Sequence, residues 1–147
     1  MKRNPALVAL AIPALGAALA LTMPAPKSTV PTTATGNLGV PDNLRSIVRR
    51  ACRDCHSNET QWPWYSQIPT VSLLLQHHVS KGREHLNFSA WDGTSARKPT
   101  PNQMQEVCDV VSDKTMPPWS YRLMHPEARL SASDIDTFCT WTDKAYP

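Results

Sequence analysis

The sequence predicts an all-α domain, and three observations carry that prediction. Apolar residues recur at i, i+3, i+4 and i+7 in four separate stretches. Helix-start residues stand at the head of three of them, at Asp42, Thr100-Pro101 and Ser131. No stretch alternates convincingly at period two, so strands are not expected.

Asp42 is placed to cap the first helix, whose Leu44, Ile47, Val48 and Ala51 form one buried stripe running directly into Cys52. The second helix begins near Thr70 and lays Val71, Leu74, Leu75 and His78 on one side, with Gly82 near its end. The third follows Thr100-Pro101, a cap residue and a proline at the first helical position, and Gln103 completes a capping box. Its stripe is Met104, Val107, Cys108 and Val111. The last helix starts at Ser131, with Asp134 three residues on, and carries Ile135, Phe138, Cys139 and Thr142 on one face. Two stiff aromatic loops separate these helices. Residues 58–69 hold Trp62, Pro63, Trp64, Tyr65 and Pro69, and residues 116–126 hold Pro117, Pro118, Trp119, Tyr121, Met124 and His125. Such loops suit the walls of a site for a flat apolar cofactor.

The N-terminal part has a different composition. Lys2 and Arg3 precede an uncharged, Ala/Leu-rich run from Ala6 to Met23, the layout of a secretory signal peptide. Ala18-Leu19-Ala20 offers a small-x-small cleavage site; a retained membrane anchor through residues 6–23 is the alternative, although that run is short for a membrane span. Either way the domain is expected outside the cytoplasm, in the periplasm or tethered to the membrane. Residues 24–41 are rich in Pro, Thr, Ser, Ala and Gly and read as a flexible linker. The domain is expected at 42–147. The net charge is +3, or +1 without Lys2 and Arg3, and no basic stripe points to nucleic acid. A chain of this size with 14 prolines builds only a modest core and gains from an embedded cofactor or a covalent staple.

Cys52-Arg53-Asp54-Cys55-His56 is C-x-x-C-H, the attachment signature of haem c. Two thiols three positions apart at a helix end can reach the two vinyl groups on one porphyrin edge, and the next residue turns its imidazole to the iron. Cys52 and Cys55 are therefore read as thioether donors to one covalent haem, and His56 as the proximal iron ligand. A redox dithiol does not need the histidine and prefers a βαβ setting. A structural zinc site would have to recruit Cys108 or Cys139. Met116 is the favoured distal ligand, in a loop stiffened by Pro117 and Pro118; Met124, His125, His77 and His78 are rivals. Cys108 and Cys139 lie on apolar helix faces and are even in number, which favours a disulfide over two buried free thiols. Trp62, Trp64, Tyr65, Trp119 and Tyr121 are read as site walls or propionate donors, with core packing the equal alternative. Arg122 and Arg129 are candidate propionate partners, against a solvated face.

Beyond this motif, longer strings carry a family resemblance. Cys52-Arg-Asp-Cys-His-Ser-Asn-Glu-Thr60, Trp62-Pro-Trp-Tyr-Ser66, His78-Val79, Gly82-Arg83 and Leu86-Asn-Phe-Ser89 resemble the bacterial haem-binding domain family of cytochrome c type. So do Met116-Pro-Pro-Trp-Ser-Tyr121 and His125-Pro-Glu-Ala-Arg-Leu-Ser131. The resemblance covers roughly Asp42 to Asp143. It implies a single covalent haem in a small helical fold, with Cys52, Cys55 and His56 at the attachment positions and Met116 at the distal one. The expected fold is thus a cytochrome c-like helical domain whose first and last helices pack together. The expected function is one-electron transfer with redox partner proteins in the periplasm or at the membrane, by an electron carrier rather than an enzyme. A haem-based sensor or weak peroxidase with an open or displaceable distal site is the main alternative, and a non-redox metal-binding module the other.

Overall fold

The computed structural model of the chain describes residues 40–91 and 99–146. The expected export segment at 1–23 and all but the last two residues of the expected linker lie outside them. Among the described residues the elements are α1 (Asp42–Ala51), α2 (Arg53–His56), α3 (Pro69–His85), α4 (Pro101–Ser112), α5 (Trp119–Met124) and α6 (Ala132–Ala145), with 3-10 turns at Trp64–Gln67, Phe88–Ala90 and Pro126–Ala128. No strand occurs among them, so the domain is all-α. No helix of the described residues is long and apolar enough to cross a membrane.

The helix starts at Thr100 and Ser131 form as their sequences specify. Thr100 Oγ1 accepts from Gln103 N at 3.2 Å while Gln103 Oε1 accepts from Thr100 N at 2.9 Å. Ser131 and Asp134 exchange the equivalent pair at 3.1 and 2.7 Å. Each box satisfies two backbone donors that the first helical turn leaves without a partner. The expectation for Asp42 differs. Helix α1 starts one residue earlier, on Pro41, whose carbonyl accepts from Leu44 N; Asp42 is already helical and pairs with Arg45 at 3.0 Å. Val40, assigned to the linker by composition, is buried against the core.

The core gathers Val40, Leu44, Ile47, Val48, Leu86, Phe88, Trp91, Met104 and Phe138. Helices α1 and α6 pack together as expected, and Arg50 fastens them: its guanidinium pairs with Asp134 at 2.6 Å and donates to the carbonyls of Glu127 and Arg129. Helix α4 lies along α6, joined to it by a Cys108–Cys139 disulfide with Cα atoms 5.4 Å apart.

Helix α3 corrects the expected stripe. Its buried residues are Ser72 and Val79, whereas Leu74 and His78 are exposed. The contact face is rotated by about one residue because close approach, not apolarity, sets it. A Cβ added at Gly82 would stand 2.5 Å from the Cys55 carbonyl oxygen, so only glycine lets α3 press this closely on α2. Arg83, next in the chain, donates to Ser57 O at 2.7 Å and to Thr60 Oγ1 at 2.8 Å. Leu73 and Leu74 are turned outward, and Leu75 is half-buried.

Candidate functional site

Cys52 closes α1, and α2 is the single turn that carries Cys55 and His56. The backbone bonds Cys55 N→Cys52 O (3.3 Å) and His56 N→Cys52 O (2.9 Å) hold the two thiols and the imidazole in one compact turn. Both cysteines are free and partly buried. Burial pushes the Cys52 thiol up to about 12 and the Cys55 thiol up to about 11. A redox dithiol works through a stabilised thiolate, so these two are tuned in the wrong direction for that chemistry.

His56 is held by a partner that fixes its tautomer. Its Nδ1 lies 3.1 Å from the Leu86 carbonyl oxygen. A carbonyl only accepts, so Nδ1 carries the proton and the Nε2 lone pair is available to a metal. Burial lowers the His56 pKa, which keeps the ring neutral as a ligand must be. Leu86 was not singled out in the sequence as a partner, since a backbone carbonyl leaves no trace in residue type. For Gly82 the sequence offers a helix-end position and a place in the Gly82-Arg83 string, but not its contact with Cys55. The usable signal was its position inside a helix, where glycine costs about 1 kcal/mol relative to alanine and so points to close packing.

The attachment turn is tied to the second aromatic loop. Asp54 Oδ2 accepts from Tyr121 Oη at 2.7 Å, and Asp54 Oδ1 accepts from Gln61 N at 3.1 Å. Tyr65 Oη and His125 Nε2 are 2.8 Å apart, and His125 Nδ1 lies 3.2 Å from Glu127 Oε1. Tyr121 and His125 stack with ring centroids 4.3 Å apart. Burial, with Asp54 beside it, drives the Tyr121 pKa far up, so the phenol remains a donor. A cavity of about 460 Å³ lies beside these groups, lined by Arg49, Arg53, Asp54, Trp62, Tyr121 and His125 among others; Cys52, Cys55 and His56 do not line it.

The other predicted residues fall as follows. Met116 is 41% exposed, its N–H bonded to Val110 O at 3.0 Å, and Met124 is 47% exposed. His77 and His78 are both exposed on α3. Trp64 and Trp119 are largely exposed, while Trp62, Tyr65 and Tyr121 are half-buried; the Trp62 indole N–H is buried with no partner among the described residues. Arg122 is half-buried on α5 and Arg129 exposed beyond it. The Cys108–Cys139 bond removes the extra ligand that a zinc site would have needed, and no three His, Cys, Asp or Glu side chains converge as metal ligands among the described residues.

This small helical domain presents two neutral thiols and an imidazole with its tautomer fixed in one turn, and elsewhere leaves several leucines, methionines and tryptophans exposed. The chain belongs to the haem-binding domain family, whose match spans residues 15–144. No curated protein and no solved structure matches it. The donor set suits haem: Nε2 of His56 for the iron, thiols for the periphery, and apolar side chains for the faces.

Proposed function

We propose that this domain holds one haem c through thioethers from Cys52 and Cys55, with His56 and Met116 as iron ligands, and carries single electrons outside the cytoplasmic membrane. The observation that carries the reading is the His56 Nδ1 contact with Leu86 O, 3.1 Å, directly after the two thiols. That bond orients the ring, fixes the tautomer and strengthens Nε2 as a donor. Bound haem supplies a one-electron ferric/ferrous couple at its iron. The chain supplies the rest. Gly82 lets α3 brace the attachment turn, and Arg83 holds the Ser57–Thr60 segment that follows it. Met116 offers a soft thioether that favours ferrous iron and raises the potential. His125 is the weaker distal candidate, because both its ring nitrogens already have partners.

The reading is tested on purified protein. The reduced form should give the pyridine haemochrome of a haem whose vinyl groups are both saturated. The ferric form should show the weak near-infrared band of methionine-to-iron charge transfer, and Met116→Ala should remove it and lower the potential. Rapid carbon monoxide binding by the unmodified ferrous protein would replace electron carriage with sensing or peroxidase activity. Export is checked by fractionating cells that express the full chain; recovery in the cytoplasm alone contradicts it.

A further inference from the structure

The helix that follows Met116 has little of its own to hold it. Helix α5 is six residues long and buries none of them. Helices this short are not stable by themselves. On the N-terminal side, Met116 is anchored to α4 through Met116 N→Val110 O at 3.0 Å, and α4 is in turn bonded to α6 by the disulfide. On the C-terminal side, the fastening is polar. Tyr121 and His125 lie four residues apart on one face of the α5 segment. Tyr121 donates to Asp54, inside the attachment motif, at 2.7 Å, and His125 meets Tyr65 at 2.8 Å. Stacking of the two rings makes these bridges one unit.

We propose that Asp54 and Tyr121 form a latch that positions the Met116 loop against the haem attachment turn. This rests on Met116 being the distal ligand. The middle residues of the C-x-x-C-H segment are then not mere spacers: Asp54 links the proximal side of the site to the distal arm. The acceptor is a carboxylate with further bonds to the Gln61 N–H and the Arg53 guanidinium, so it is itself held in place. Tyr121 and Asp54 are positioning residues, acting on the iron only through Met116.

The experiment uses the haem-loaded full chain and compares Met116→Ala, Tyr121→Phe, Asp54→Asn and Tyr121→Phe/Asp54→Asn. The readouts are the near-infrared charge-transfer band and the rate of carbon monoxide binding to the ferrous form, which requires the iron–methionine bond to open. Tyr121→Phe keeps the ring and its stacking while removing the donor. It should weaken the band and speed carbon monoxide binding by at least about tenfold, the population change expected from losing one hydrogen bond to a charged acceptor. Asp54→Asn retains an acceptor and should give a smaller change, and the double variant should be no worse than Tyr121→Phe alone. If Met116→Ala leaves the band intact, the ligand assignment itself fails. If Met116→Ala abolishes the band but Tyr121→Phe leaves both readouts at their original values, the ligand assignment stands and the latch is overturned. Strictly additive effects of the two single changes also overturn it.

Discussion

Along α4 and α6, Met104, Cys108, Val111, Phe138 and Thr142 are buried, and a disulfide joins the two helices. Along α3 and α5, Leu73, Leu74, Trp119, Leu123 and Met124 are exposed, and the fastenings are a glycine contact and hydrogen bonds. The two regions belong to one small domain, yet one turns its apolar side chains into the shared core with α1, Leu86 and Phe88 and the other leaves large apolar groups outside. The disulfide half is held by burial and a covalent staple, while the half that carries Cys52, Cys55 and His56 is held by polar contacts and leaves apolar groups exposed, as a surface that takes a partner or cofactor does.

Removing the staple should have the largest effect. Cys108→Ala/Cys139→Ala should lower stability by about 3–4 kcal/mol, from the chain entropy that a crosslink of this span restricts. Denaturant unfolding with and without reductant measures it, and the purified variant should still carry haem in proportion to its folded fraction.

Gly82→Ala acts on the other half. Its methyl group would meet the Cys55 carbonyl, and the strain should cost about 1–3 kcal/mol. Unlike the disulfide variant, it should also lower the yield of covalent haem, read as haem absorbance per mole of chain.

Asp134→Asn has a smaller effect and a defined pH window. The Arg50 guanidinium, helped by the Ser131 cap, holds the Asp134 carboxyl down at about 2. A depressed folded-state pKa contributes stability that is present above the unfolded value and is lost as pH falls through the folded one. Acid unfolding of the original protein should therefore contain a component between about pH 4 and pH 2 that Asp134→Asn lacks.

The smallest effect is expected at Leu74. In the haem-free polypeptide, Leu74→Gln should change stability by no more than about 0.5 kcal/mol, the ordinary range for surface positions. In the haem-loaded protein the same change should cost measurably more. Equal cost in both forms would place Leu74 on an ordinary solvated face.

Much of the disulfide half was legible in the sequence, because capping boxes and apolar stripes are local rules. Thr100–Gln103, Ser131–Asp134 and the Met104/Cys108/Val111 stripe follow them. The half that carries Cys52, Cys55 and His56 was less legible. The C-x-x-C-H spacing names Cys52, Cys55 and His56 as candidates, whereas the buried face of α3 departs from the expected stripe at Leu74 and His78. No local rule encodes that Gly82 must meet a carbonyl or that Arg83 must reach Thr60. Helix α5 forms where the sequence predicts a loop for the same reason, since hydrogen bonds to residues sixty or more positions away hold it.

Covalent attachment of haem to Cys52 and Cys55 is measured by acid–acetone extraction followed by intact mass spectrometry. The unmodified protein should keep its haem in the precipitate and show the mass of chain plus one haem, while Cys52→Ser/Cys55→Ser should show the mass of the chain alone. Haem that extracts freely from the unmodified protein would contradict the claim.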